Sequence, residues 1–331
     1  MQDFSQIIGH KGIVDHLQNA IRAQKISHAY IFHGEEGMGK KSLALAFAKT
    51  LQCETKDINS CNKCKSCIQA DSRNHPDILW INSDKNSIGV DDIRTRVNAD
   101  VMIKPYQSRY KIYIIEDADK MTENAQNALL KTIEEPPEYA IIILLCCNTS
   151  TLLPTILSRC VILNLKPVNR QLIKEFLMSK YRIPDYKAEI AVNFSGGNVG
   201  KAIKYASSED FEKKKEDIFH ILRYIDEMEL HEIIAGIKTL SENKASVFDY
   251  IDIMLLWFRD VLMLKATNDP NLLLFREEYQ IIKRQANIRS YDKIEKIIKA
   301  MEGAKVKLNA NVNFDITIEL MLLNIKENHN G

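Results

Sequence analysis

Residues 28–51 read HAYIFHGEEGMGKKSLALAFAKTL. His28–His33 is a short apolar strand, Gly34-Glu35-Glu36-Gly37-Met38-Gly39-Lys40 is a glycine-rich turn, and Lys41–Leu51 has the spacing of a helix. Between a strand and a helix, such a turn offers successive backbone N–H groups to phosphate oxygens. The helix N-terminus adds its dipole, and the lysine reaches the outer phosphates. The spacing Gly34-x4-Gly39-Lys40 therefore predicts a phosphate loop built from Gly34, Gly37, Gly39 and Lys40.

Two features separate loop from activity. A hydroxyl residue is needed directly after the lysine to hold Mg²⁺, and Lys41 stands there. Ser42 is no substitute, because one step along a helix turns the side chain by about 100°. The second feature follows the strand Lys111–Ile115 (KIYII). A working site wants Asp at the strand end for the metal and Glu beside it to activate water; this chain gives Glu116-Asp117. With Glu116 in the metal place, Asp117 is one methylene short of the water; with Asp117 there, the base position falls on Ala118. A plain alternative is that both carboxylates end the strand and face solvent. ATP and Mg²⁺ are thus doubtful cofactors for this chain.

Outward from the loop, Asn124–Glu135 reads as a helix stopped by Pro136-Pro137, and Ala140–Cys146 and Val161–Leu165 read as further strands. Strands alternating with helices imply an α/β domain with a parallel sheet covered by helices. After Lys166-Pro167 no convincing strand follows. Residues 168–207 read as short helices around Ser195-Gly196-Gly197-Asn198, and beyond 208 apolar positions recur at three and four (Ile218, Ile221, Leu222, Ile225; Ile294, Ile297, Ile298, Met301). Most of Ile253–Met263 reads as core.

The 331 residues carry 45 Lys+Arg against 44 Asp+Glu, and residues 1–165 hold 19 of each sign. A protein gripping DNA alone through a basic face would not be balanced in this way. No apolar run reaches the ~18 residues of a membrane span, and MQDFSQIIGHKG lacks the form of a signal peptide. A soluble cytoplasmic protein is the expectation.

Seven cysteines, an odd number with two of them adjacent, suit a reducing compartment. Cys53, Cys61, Cys64 and Cys67 fall close together in a polar stretch with little core material of its own. Four thiolates at about 2.3 Å close a structural Zn²⁺ site; unrelated surface thiols, two disulfides, a catalytic zinc or an Fe–S cluster are the other readings.

The segment 127–160, NALLKTIEEPPEYAIIILLCCNTSTLLPTILSRC, resembles the clamp-loader branch of the AAA+ ATPases. The cysteine quartet after the loop helix and the early His28-Ala29-Tyr30 narrow the resemblance to loader subunits of bacterial DNA polymerase III. It implies an AAA+ domain over 1–166 with an inserted zinc module (53–67), a helical lid over 167–207 and a helical collar over 208–331. Leu308–Leu323 resembles the family's last helix. The implied function is loading of the sliding clamp on primed DNA, in company with tau/gamma and delta subunits and with only indirect contact to the clamp. The altered loop and the Glu116-Asp117 order resemble the loader's rigid stator rather than its longer, ATP-hydrolysing tau/gamma subunit. In the family, the Arg of Ser158-Arg159-Cys160 projects into a neighbour's nucleotide site, where a guanidinium stabilises transition-state charge. Read alone, Arg159 would only close a helix. Asn148 falls at the family's polar sensor position, and Lys201 replaces its usual sensor Arg. The competing readings are an active AAA+ ATPase subunit that tolerates Lys41 and Glu116, and a zinc-containing nucleic-acid module.

Overall fold

The structure, a computed structural model, describes residues 3–82, 87–229, 231–232, 247–310 and 312–328. The chain splits into two compact units, one of residues 1–182 and 195–203, the other of residues 183–194 and 204–331. The helical segment 167–207 is shared between them.

The first unit is built on a five-stranded sheet in the order β2-β3-β4-β1-β5. The strands are β1 Ala29–His33, β2 Ile78–Ile81, β3 Lys111–Ile115, β4 Ala140–Cys146 and β5 Val161–Asn164, and every pairing is parallel. All residues of β3 and β4 are buried, as expected where helices cover both faces. Alternation along β1 divides the core. Tyr30 and Phe32 pack with Leu43, Ala44 and Phe47 of α2 (Lys40–Gln52), whereas Ala29 and Ile31 share the other face with Ala125, Leu129 and Ile133 of α5 (Glu123–Glu134).

Sequence reading missed β2. Four apolar residues have no measurable period, and only pairing with β3 in the register Ile78↔Ile112 to Ile81↔Ile115 defines the strand. The helix read as Lys41–Leu51 starts one residue earlier, capped by Gly39 at φ 94°.

The regular elements of the second unit are all helices among its described residues. Its centre is aromatic: Phe219 lies 5.1 Å from Trp257 and 4.8 Å from Phe275 between ring centroids. Trp257 Nε1 donates to Gln285 at 2.7 Å, and Gln285 donates to the Leu222 carbonyl at 2.8 Å. Ile253, Met254, Trp257, Phe258 and Val261 are buried, so the long apolar stretch is core. Leu308 belongs to the helix Tyr291–Asn309, and the last helix, Phe314–Glu327, starts later than expected because Asn313 caps it.

Candidate functional site

The phosphate loop, Glu116 and Asn148 all lie at the C-terminal ends of β1, β3 and β4, where open α/β sheets place their ligands. Gly37 and Gly39 take φ 86° and 94°, a region that favours glycine. The loop is clamped from the segment 196–201. Asn198 Nδ2 donates to the Glu36 carbonyl at 2.7 Å, and Gly200 N donates to the Gly37 carbonyl at 2.9 Å. A Cβ on Gly200 would stand 2.7 Å from Gly37 Cα, so only glycine fits that approach. In the sequence this segment reads as a break and a sensor; the clamping roles of Asn198 and Gly200 emerge only in the fold. The spacing Gly-Gly-Asn-x-Gly was the available signal.

Lys40 folds back on its own loop. Its ammonium donates to the Gly34 carbonyl, to the Glu35 carbonyl at 3.0 Å and to Cys147 Sγ at 3.2 Å. Lys41 reaches across to β3, where Nζ donates to Glu116 Oε2 at 2.6 Å. Of the two registers left open by the sequence, the structure brings Glu116 to the loop. Asp117, with φ 49°, turns away and pairs with Lys120 at 2.9 Å. Glu116 is 8% exposed, so the solvent-facing alternative does not describe it. Its other oxygen has no hydrogen bond among the described residues and lies 3.7 Å from Arg73 Nη1. Magnesium does not fit this donor set: an ammonium stands where a hydroxyl would bind the ion, and the carboxylate facing it is already paired.

Asn148 and Lys201 are both engaged locally. Asn148 Oδ1 accepts from Ser150 N at 2.9 Å and Ser150 Oγ at 2.8 Å, and Lys201 pairs with Glu35 at 3.6 Å. His10 Nε2 lies 3.2 Å from the Met38 carbonyl, and burial holds its pKa below the usual histidine value.

The cysteine quartet assembles. Atoms Sγ of Cys53, Cys61, Cys64 and Cys67 lie within 4.8 Å of one another, and those of Cys61 and Cys67 are 3.9 Å apart. Sulfurs at 2.3 Å from a tetrahedral ion would be about 3.8 Å apart, so the four fit a zinc ion. Backbone N–H groups point at the sulfurs: Cys61 N to Cys53 Sγ at 3.3 Å, Cys64 N to Cys61 Sγ at 3.3 Å and Cys67 N to Cys64 Sγ at 3.4 Å. The backbone N–H groups of Lys63 and Cys64 push the Cys61 thiol down to about 6, whereas burial pushes the neighbouring Cys67 thiol up. The four sulfurs lie together and Cys53 and Cys67 are buried, so scattered surface thiols do not describe the quartet.

Arg159 sits elsewhere. It follows α6 (Pro154–Leu157) and precedes β5, whose Val161 is opposite Tyr30 of β1. The phosphate loop starts beyond His33, at the other end of β1; at about 3.3 Å per residue the ends of that strand are roughly 13 Å apart. Arg159 Nη2 pairs with Glu134 at 3.0 Å, and Nη1 donates to the Thr155 carbonyl at 3.1 Å. Its side chain is 41% exposed.

Residues 9–169 match the family described as "DNA polymerase III, delta subunit". The chain is 30% identical to the DNA polymerase III delta-prime subunit of Bacillus subtilis, across 94% of each chain. It is also 30% identical to the tau subunit of the same organism, over 96% of this chain and 61% of tau. Among solved structures, a gamma-subunit-related protein of Thermotoga maritima aligns over 96% of this chain and 99% of its own, with TM-score 0.49 and 21% identity. By the full-length similarity to delta-prime, the chain belongs to the DNA polymerase III delta-prime family of clamp-loader subunits.

Proposed function

We propose that this chain is the stator of a DNA polymerase III clamp loader, inert at its own phosphate loop and acting on a neighbour's nucleotide through Arg159. The observation that carries this reading is the 2.6 Å ion pair between Lys41 and Glu116, which fills the metal position from within the protein. An active ATPase subunit would need both residues released from each other and a replacement for the missing hydroxyl. For the trans role, the support is position. Arg159 is exposed at the end of the sheet away from its own loop, held at an element junction by Thr155 and Glu134. There it can offer a planar fork to another subunit's γ-phosphate.

The proposed organisation is an AAA+ domain over 1–166, a lid over 167–207 and a collar over 208–331. The collar would carry the stable contacts to tau/gamma and delta subunits, and Ile316 and Leu320, each 55% exposed one turn apart on the last helix, suit that use. Cys53, Cys61, Cys64 and Cys67 would hold one structural zinc, which supplies a cross-link for a segment with little core. The sliding clamp and primed DNA are met in the assembled loader.

The test is nucleotide turnover by the purified chain, alone and then mixed with a tau-type subunit, a delta subunit, clamp and primed DNA. The expected result is negligible turnover alone and stimulated turnover in the mixture. Turnover of ~1 per second by the chain alone, a modest enzyme rate, abolished by Lys40→Ala, would overturn the reading. Metal analysis should find about one zinc per chain, absent from a Cys64→Ser variant.

A further inference from the structure

Arg73 belongs to no motif in the sequence, yet its guanidinium is placed from three sides. Cys64 caps α3 (Lys65–Asp71), and Cys67 lies buried in the first turn of that helix, so closing the quartet fixes where α3 begins. At the other end, the Asp71 carboxylate receives Lys49 Nζ of α2 at 2.8 and 2.7 Å, and the Lys49 side chain is fully buried. Two residues later the helix closes with Arg73 in the left-handed region at φ 57°, its N–H donating to the Ala70 carbonyl at 3.1 Å. That turn directs the guanidinium over the Trp80 ring, 4.2 Å from its centroid, with Nη1 3.7 Å from Glu116 Oε1.

The chain of contacts is continuous. It runs from the cysteine quartet through one short helix to a cation that faces the carboxylate at the phosphate loop. Glu116 is buried, and a buried carboxylate needs compensation. Lys41 supplies it at one oxygen; at the other, Arg73 is the cation within ion-pair distance among the described residues. Stacking on Trp80 removes the freedom that a long side chain would otherwise lose on forming such a pair.

We propose that Arg73 is a further residue of the phosphate-loop site, delivered by the cysteine module, through which metal in the quartet is felt at Glu116. The inference rests on the reading of the quartet as a metal site. Metal holds α3 in register, α3 holds Arg73 on Trp80, and Arg73 with Lys41 keeps Glu116 neutralised. Loss of the metal frees the start of α3 and lets the guanidinium leave the indole.

Trp80 reports the outcome directly. Zinc is withdrawn from the full chain with a chelator and returned stepwise, while released zinc is measured with a dye and tryptophan emission is followed. Emission should move to longer wavelength as water replaces the guanidinium over the ring, and one equivalent of zinc should reverse it. Trp80→Phe should abolish the change, leaving Trp257 of the other unit silent. Arg73→Ala should show the long-wavelength emission with zinc bound and little further shift on its removal. Amides around Glu116 should exchange faster both in zinc-free chain and in zinc-loaded Arg73→Ala. Zinc that leaves and returns with no change at Trp80 would sink the coupling alone. So would an Arg73→Ala chain that keeps the whole zinc-dependent shift. A chain that holds and takes up no zinc would sink the metal reading and the coupling with it.

Discussion

At the C-terminal end of the sheet the charged groups answer one another: Lys41 binds Glu116, Lys120 binds Asp117, and Lys201 binds Glu35. At the opposite end Arg159 is tied to Glu134 and a helix carbonyl but remains 41% exposed. The difference is one of availability. Residue types suited to phosphate and metal are present at the loop, and they are taken up by their neighbours or folded onto the loop. Arg159 keeps its exposure and a defined position, which are what action on another molecule requires.

The sharpest way to break this contrast is Arg159→Ala in a reconstituted loader. A trans arginine is worth ~10³–10⁵ in rate at the site it serves, several kcal/mol. One finger among several sites should give a clear but partial loss of clamp- and DNA-stimulated turnover, with zinc content and assembly unchanged. Arg159→Lys should also be poor, because a point charge lacks the fork. Unchanged turnover would return Arg159 to closing a helix.

Next in size is Asp71→Ala, which leaves the buried Lys49 ammonium without its carboxylate. Removing one partner of a buried pair is expected to destabilise by about 3–5 kcal/mol, read as a lower denaturant midpoint for the first unit. A midpoint unchanged from the parent would show that α3 is held by the quartet alone.

The second unit supplies a pH effect that should leave the loop untouched. Asp260 is fully buried, and burial pushes its pKa up to about 6, although the backbone N–H groups of Leu274 and Phe275 and the Arg259 guanidinium pull the other way. Its unfolded value is near 3.9. Between those two values the folded chain holds a proton that the unfolded chain has released, so stability should fall as pH rises from about 4 to 6 and level off above. The loss is at most roughly 3 kcal/mol. Asp260→Asn should flatten that slope in denaturant titrations at several pH values; a slope equal to the parent's would refute the assignment.

The smallest expected effect is a gain. Lys41→Thr restores a metal-binding hydroxyl and releases the Glu116 oxygen that Lys41 holds, so nucleotide binding should become Mg²⁺-dependent and strengthen by about tenfold, or 1.4 kcal/mol. Turnover should stay absent, since Asp117 remains turned toward Lys120. Equal binding with and without Mg²⁺ in the variant would show that Lys41 is not what excludes the ion.

Much of this is legible in the sequence itself. Strands β1, β3 and β4 are apolar runs bounded by turns, the trace that buried parallel strands leave, and β5 keeps an apolar run although it is an edge strand with Ile162 exposed. The quartet was legible because its ligands are close in sequence. The oddity of Lys41 and that of Glu116-Asp117 were each visible, but their pairing spans 75 residues and no local pattern encodes it. Arg73 gave no signal, because its role depends on a left-handed turn and on an edge strand too short to register.

The clamp on the phosphate loop has a consequence for the order of folding. Asn198 and Glu36 are 162 residues apart, so the contact that shapes the loop is among the chain's most distant. Such contacts form only after a large closure in entropy has been met. During synthesis at ~5–20 residues per second the loop emerges on the order of ten to thirty seconds before its clamp. The β1–α2 turn therefore begins life as an open loop and acquires its final form late, from a part of the chain that nothing in its own sequence anticipates.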